Sequence, residues 1–81
     1  MPVSDNGIRA ALMDIARQRG ARKTLCPSEV ARALADDWRP LMADVRRVAA
    51  DEPMIEALQG GKVVDPQTAK GPIRLRLAQP R

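Results

Sequence analysis

From Ile73 to Leu77 the chain alternates without exception, Ile-Arg-Leu-Arg-Leu, setting three aliphatic side chains against two arginines. Only an extended strand sorts residues this way, because its side chains point to opposite faces in turn. Upstream of residue 53 the period is different. Ile8, Ala11, Leu12, Ile15 and Ala16 recur at three and four residues and line one face of a helix. Val30, Ala31, Leu34 and Ala35 form the face of a shorter second helix. Trp38, Leu41, Met42, Val45, Val48 and Ala49 form that of a third. A hydrophobic period that changes in this order predicts an α+β fold, mainly α, with the helices first and the sheet last.

The punctuation between these runs sharpens the reading. Ser4, Asp5 or Asn6 can cap the first helix, and Gly20 after Arg17-Gln18-Arg19 supplies its stop. Ala21–Leu25 is too short for a helix and suits a brief extended segment that drops Leu25 into the core. Pro27 fits the first position of the second helix, with Cys26 as cap residue and Glu29 in the first turn. Asp36 and Asp37 read as a turn and cap for the third helix, which starts near Trp38 and tolerates Pro40 in its first turn. Pro53 ends that helix at or before Glu52. Met54–Leu58 could pass as a helical turn, but Gly60-Gly61 follows and Lys62-Val63-Val64 continues toward a strand. Asp65–Pro72 is rich in turn formers and reads as a long polar loop before the last strand. The order is helix, short strand, helix, helix, strand, wing, strand, which is a winged helix-turn-helix: three helices followed by a β-hairpin wing. Residues 1–81 make a single domain with a core over about 8–78, and Gln79-Pro80-Arg81 is expected to fray.

Composition excludes several function classes. Eighty-one residues leave room for one core. The sequence has no histidine and a single cysteine, Cys26, so no intramolecular disulfide forms, and no metal site or cofactor is expected. Ser28 has no histidine to activate it, and Asp36-Asp37 is better explained by a helix start than by acid–base chemistry. Gly60-Gly61 lacks the spacing of a phosphate loop. Trp38 is the only aromatic residue, which disfavours base stacking and, by its spacing with Leu41, Met42 and Val45, belongs to the core. No apolar run approaches the roughly 20 residues of a membrane span, and Met1–Asp5 lacks a signal peptide's charged and apolar regions. With one thiol the expected compartment is the reducing cytoplasm. These features describe a binding module, not an enzyme.

Three stretches carry a family resemblance: Cys26-Pro27-Ser28-Glu29-Val30-Ala31-Arg32-Ala33-Leu34, then Trp38-Arg39-Pro40-Leu41-Met42 with Val45-Arg46, then Lys70-Gly71-Pro72-Ile73-Arg74-Leu75. In this order they resemble a bacterial family of short uncharacterised domains, over roughly residues 8–78. The resemblance implies a winged-helix-like fold and no assigned activity, substrate or binding residues. Related sequences run the third helix longer before a glycine, where this chain has Asp51-Glu52-Pro53.

Charge suggests the partner. Residues 1–35 carry six basic and three acidic groups, residues 36–56 three and six, and residues 57–81 five and one, for a net charge of +4. Basic ends suit a polyanion. In a winged helix the third helix enters the major groove and the wing reaches the backbone. Arg39, Arg46 and Arg47 are the candidates on the exposed side of helix three, with Ala43 and Ala50 allowing close approach. Lys62, Lys70, Arg74 and Arg76 are the candidates for phosphate contacts from the hairpin. Two alternatives stand beside duplex DNA binding. These arginines can form a solvated face or pair with Glu29, Asp44 or Asp51, and the fold can instead serve a protein partner or a homodimer.

Overall fold

The computed structural model describes residues 3–79. Met1 and Pro2, part of the start at which no signal peptide is expected, and Pro80 and Arg81 of the expected tail lie outside the described residues. Helix α1, Asp5–Arg19, starts where Ser4 accepts a hydrogen bond from the Gly7 N–H at 3.0 Å. It stops at Gly20, whose N–H reaches the Ala16 carbonyl. Its buried stripe is Ile8, Leu12, Met13 and Ala16, with Ala11 and Ile15 partly covered at its margin. Helix α2, Pro27–Leu34, has proline in its first turn and Cys26 as cap residue. The Glu29 carboxylate folds back to accept the Cys26 N–H at 2.8 Å, so an otherwise orphaned donor at the helix start is satisfied.

The third helical element begins as a 3-10 turn, Arg39–Leu41, and continues as α3, Met42–Ala50. Asp36 and Asp37, expected as turn and cap, form an exposed bend, and neither caps the helix. Trp38 already has helical backbone angles (φ −87°, ψ −20°), so the extended cap position an aspartate would occupy is absent. Beyond Ala50 the Asp51 N–H still reaches Arg47 and Val48, and Pro53 prevents further turns.

Three strands follow: β1 Ile55–Gln59, β2 Lys62–Val64 and β3 Arg74–Leu77, in the antiparallel order β2-β1-β3. This corrects the expected pairing of Lys62–Val64 with the last strand across a long loop. The hairpin instead closes between β1 and β2 through Gly60-Gly61, both at positive φ (58° and 82°), the backbone that a tight two-residue turn requires. Residues 65–73 then return the chain to the far edge of β1. There β3 also meets the isolated bridge partner Leu25, with N–H···O distances of 2.8 Å in both directions. The expected short extended segment is therefore one bridge long. Gln79, expected to fray, donates from its side-chain amide to the Leu77 and Ala21 carbonyls.

The register sorts the sheet into two faces. Ile55, Ala57, Leu75 and Leu77 turn toward the helices and join Ile8, Leu12, Leu25, Val30, Val45 and Val48 in one core cluster. Glu56, Leu58, Val63, Arg74 and Arg76 share the opposite face.

Candidate nucleic-acid interface

Along α3 and the turn before it, Arg39, Ala43, Arg47 and Ala50 are all solvent-exposed, and their spacings of four, four and three residues align them on one face. Val45, Val48 and Ala49 anchor the opposite side in the core. The stripe therefore presents two guanidinium groups with one alanine between them and a second beyond Arg47.

Arg47 is not a bare cation. It grips Asp5 at the start of α1 through two hydrogen bonds of 2.7 and 2.8 Å and reaches Asp44 at 3.3 Å. These bonds raise the guanidinium pKa still further, and the Arg47 hydrogen bond holds the Asp5 carboxyl below its usual range. Both partners are about half-exposed, which makes this an exchangeable surface pair. Beside it, a cleft of about 210 Å³ is bounded by Asp5, Arg9, Arg47, Asp51 and Gln67 among others. Arg9 there faces Asp51 at 3.6 Å and Glu52 at 3.3 Å, so the cleft walls are charge-balanced.

Arg46 departs from its expected place on the free face. Its guanidinium turns beneath the 65–73 loop and donates to the carbonyls of Ala69 at 2.8 Å, Gly71 at 2.7 Å and Pro66 at 3.4 Å. A loop without a ladder leaves its carbonyls unpaired, and one planar fork of donors collects three of them. Gln59 completes the clasp by donating to the Lys70 and Pro72 carbonyls. Sequence pattern gave no sign of this role: the partners are backbone atoms more than 19 residues away, with no side-chain identity to mark them.

The hairpin cations divide. Lys62 opens β2 beside the Gly60-Gly61 turn and Lys70 rides on the clasped loop, both exposed. Arg74 and Arg76 lie on the sheet face turned from the helices. Arg74 donates to the Thr24 hydroxyl at 3.0 Å, and Arg76 pairs at 2.8 Å with Glu56, which is only 8% exposed. The structure thus brings Arg46 to the loop that carries Lys70, and separates Arg74 and Arg76 from the α3 stripe. Of the carboxylates expected as partners, Asp44 meets Arg47, Glu29 is taken by Arg19 and Asp51 by Arg9. Hydrogen bonding from the Cys26 N–H, reinforced by Arg19, lowers the Glu29 pKa.

Two residues outside the expected set join the site. Trp38 packs against the core but stays half-exposed, and both Arg32 of α2 and Arg39 stand over its ring, at 4.5 and 4.6 Å from the centroid. Cys26 is a half-buried free thiol that accepts a hydrogen bond from Ser28. Among the described residues no group of three His, Cys, Asp or Glu side chains is placed to hold a metal ion, and no helix is long and apolar enough to cross a membrane.

Fold and surface together define a small α+β domain, three helices on a three-stranded antiparallel sheet, with an arginine-bearing helix face. The chain belongs to the family described as protein of unknown function (DUF3253), whose pattern matches residues 5–78. No curated protein shows significant similarity to it.

Proposed function

We propose that this chain is a small, non-enzymatic winged-helix module that docks on duplex DNA through the exposed face of its last helix. The observation that carries the reading is the stripe Arg39, Ala43, Arg47, Ala50, which is long and narrow enough to follow a groove and offers two guanidinium groups. The Arg47–Asp5 pair can exchange for a phosphate or a guanine edge, since an exposed ion pair adds little to stability. Lys62 and Lys70 supply backbone contacts from the turn and the clasped loop, and Arg46 positions that loop. Arg74 and Arg76 leave the contact set because they lie on the other sheet face. The winged-helix reading itself is supported by the element order and by the Leu25–Leu75 bridge, which sets the segment after α1 beside the last strand. The module works in the cytoplasm, where Cys26 stays reduced.

Anisotropy of a labelled 20-base-pair duplex tests this. Binding at low salt is expected, with a log-log salt slope of about −0.9 per phosphate contact. Arg39→Ala and Arg47→Ala should each weaken it by roughly tenfold, the scale of one good contact. Absence of binding at low salt, or binding indifferent to both substitutions, overturns the reading.

A protein partner or homodimer is the second reading, and it has its own observation. Among the described residues the exposed large apolar side chains are Met54 at 57% and Val63 at 50%, both at the sheet. Sedimentation over a range of concentrations separates the two: a strict monomer that binds DNA retires the homodimer.

A further inference from the structure

Six of the ten described arginines are engaged, Arg9, Arg19, Arg47 and Arg76 with carboxylates, Arg46 with carbonyls and Arg74 with Thr24, while Arg17 and Arg22 stand exposed with no partner among the described residues. Arg32 and Arg39 are different. Each holds its guanidinium carbon over Trp38, within the roughly 6 Å across which a ring face attracts a cation. Neither donates a side-chain hydrogen bond or forms an ion pair among the described residues. The N–H donors of a guanidinium lie around its rim, so contact through the carbon leaves all of them available.

Two like charges are thus gathered at one indole with their donors unfilled, on the exposed surface between α2 and α3. We propose that Arg32, Trp38 and Arg39 form a seat for a backbone phosphate of duplex DNA. A phosphodiester carries one negative charge and acceptor oxygens that match the planar fork of an arginine on each side. Contact with the half-buried indole restricts both side chains in advance, which reduces the ordering cost of long side chains on binding. A duplex has no free base to stack on Trp38, so the ring is a support for cations and not a reader of bases. Arg39 is also the first residue of the α3 stripe, and the seat therefore continues that surface toward α2. This inference rests on the duplex-docking reading and adds Arg32 and Trp38 to it as phosphate-side residues.

Trp38 is the only aromatic residue of the chain and reports on its own site. Intrinsic emission and acrylamide quenching are followed while an unlabelled duplex is added, in parallel with anisotropy of the labelled duplex. Arg32→Ala is compared with Arg74→Ala, which removes the same charge from the far sheet face, and circular dichroism verifies that each variant is folded. The expected result is a blue shift and reduced quenching of Trp38 on binding. Arg32→Ala should lower affinity by roughly five- to tenfold and flatten the salt slope by about 0.9, the loss of one phosphate contact, while Arg74→Ala leaves the slope unchanged. A duplex that binds while Trp38 emission stays fixed and Arg32→Ala matches the unsubstituted chain overturns the seat and leaves the docking reading standing. No duplex binding at low salt overturns both.

Discussion

The two neighbouring arginines of α3 have opposite jobs, and their substitutions should separate cleanly. Arg46 serves three loop carbonyls from a partly buried position, so Arg46→Ala leaves those acceptors unfilled and frees residues 66–71. A loss of about 1–3 kcal/mol is expected in urea unfolding, with faster amide exchange at Ala69. Arg47→Ala removes only an exposed pair and should leave the urea midpoint near that of the unsubstituted chain while weakening duplex binding. Equal effects of the two on stability would mean the clasp does not hold the loop. Sequence reading found the positions of both arginines but not this division, because facing is decided by atoms far along the chain. Asp5, read only as a cap candidate, is the bidentate partner of Arg47 across 42 residues. Local residues were legible instead: Gly20, Pro27 and Pro53 act where they stand. Acid should expose the ion pairs in a defined way. Glu29 and Asp5 both have lowered pKa values in the fold, so each stabilises above its unfolded value and loses that contribution as pH falls through the folded one. Unfolding midpoints should accordingly hold steady near neutrality and decline below about pH 4.3, the ordinary glutamate value. Glu29→Gln should make that decline shallower, and an unchanged decline would assign it to other carboxylates.

At the scale of elements, the helices and the last strand were readable because each depends on a short-range period. The pairing of β2 with β1 was also legible, since two glycines between two short runs mark a two-residue hairpin. The return of residues 65–73 to the other edge of β1 was not, because the loop's carbonyls are held by Arg46 and Gln59 from far along the chain. The Gly-Gly turn now has a measurable function. Gly61 at φ 82° has open space where a Cβ would lie, so Gly61→Ala is strained by its backbone and not by a clash. The expected cost is about 1–2 kcal/mol, the left-handed penalty of an L-residue. It should appear in amide exchange as local opening of β2 while the β1–β3 pairs stay protected. Simultaneous loss of both ladders would show that the sheet unfolds as one unit. The 3-10 start of the third helix was illegible for a related reason. Adjacent aspartates before a helix look like caps, yet the helical backbone of Trp38 leaves them none of the geometry a cap needs.

For the whole molecule, what matters is how its charges combine at the proposed interface. The acidic middle of the chain is largely absorbed: Asp44 by Arg47, Asp51 and Glu52 by Arg9, Glu56 by Arg76. Asp36 and Asp37 are the exception, exposed in the bend immediately before Trp38 and without an ion pair among the described residues. They neither cap a helix nor fill the core, so their main physical effect is a negative field beside the Arg32–Trp38–Arg39 cluster. That field opposes a phosphate over a Debye length of about 10 Å at 0.1 M salt and much less at 1 M. Asp36→Asn combined with Asp37→Asn should therefore tighten duplex binding at low salt by several-fold, without changing the thermal midpoint appreciably. The gain should shrink as salt rises, because it comes from relieved repulsion and not from a new contact. Anisotropy titrations at two ionic strengths measure both quantities. A duplex affinity unmoved by the double substitution would place the interface away from the α2–α3 junction, and a gain that persists undiminished in high salt would point to a new direct contact made by the asparagines.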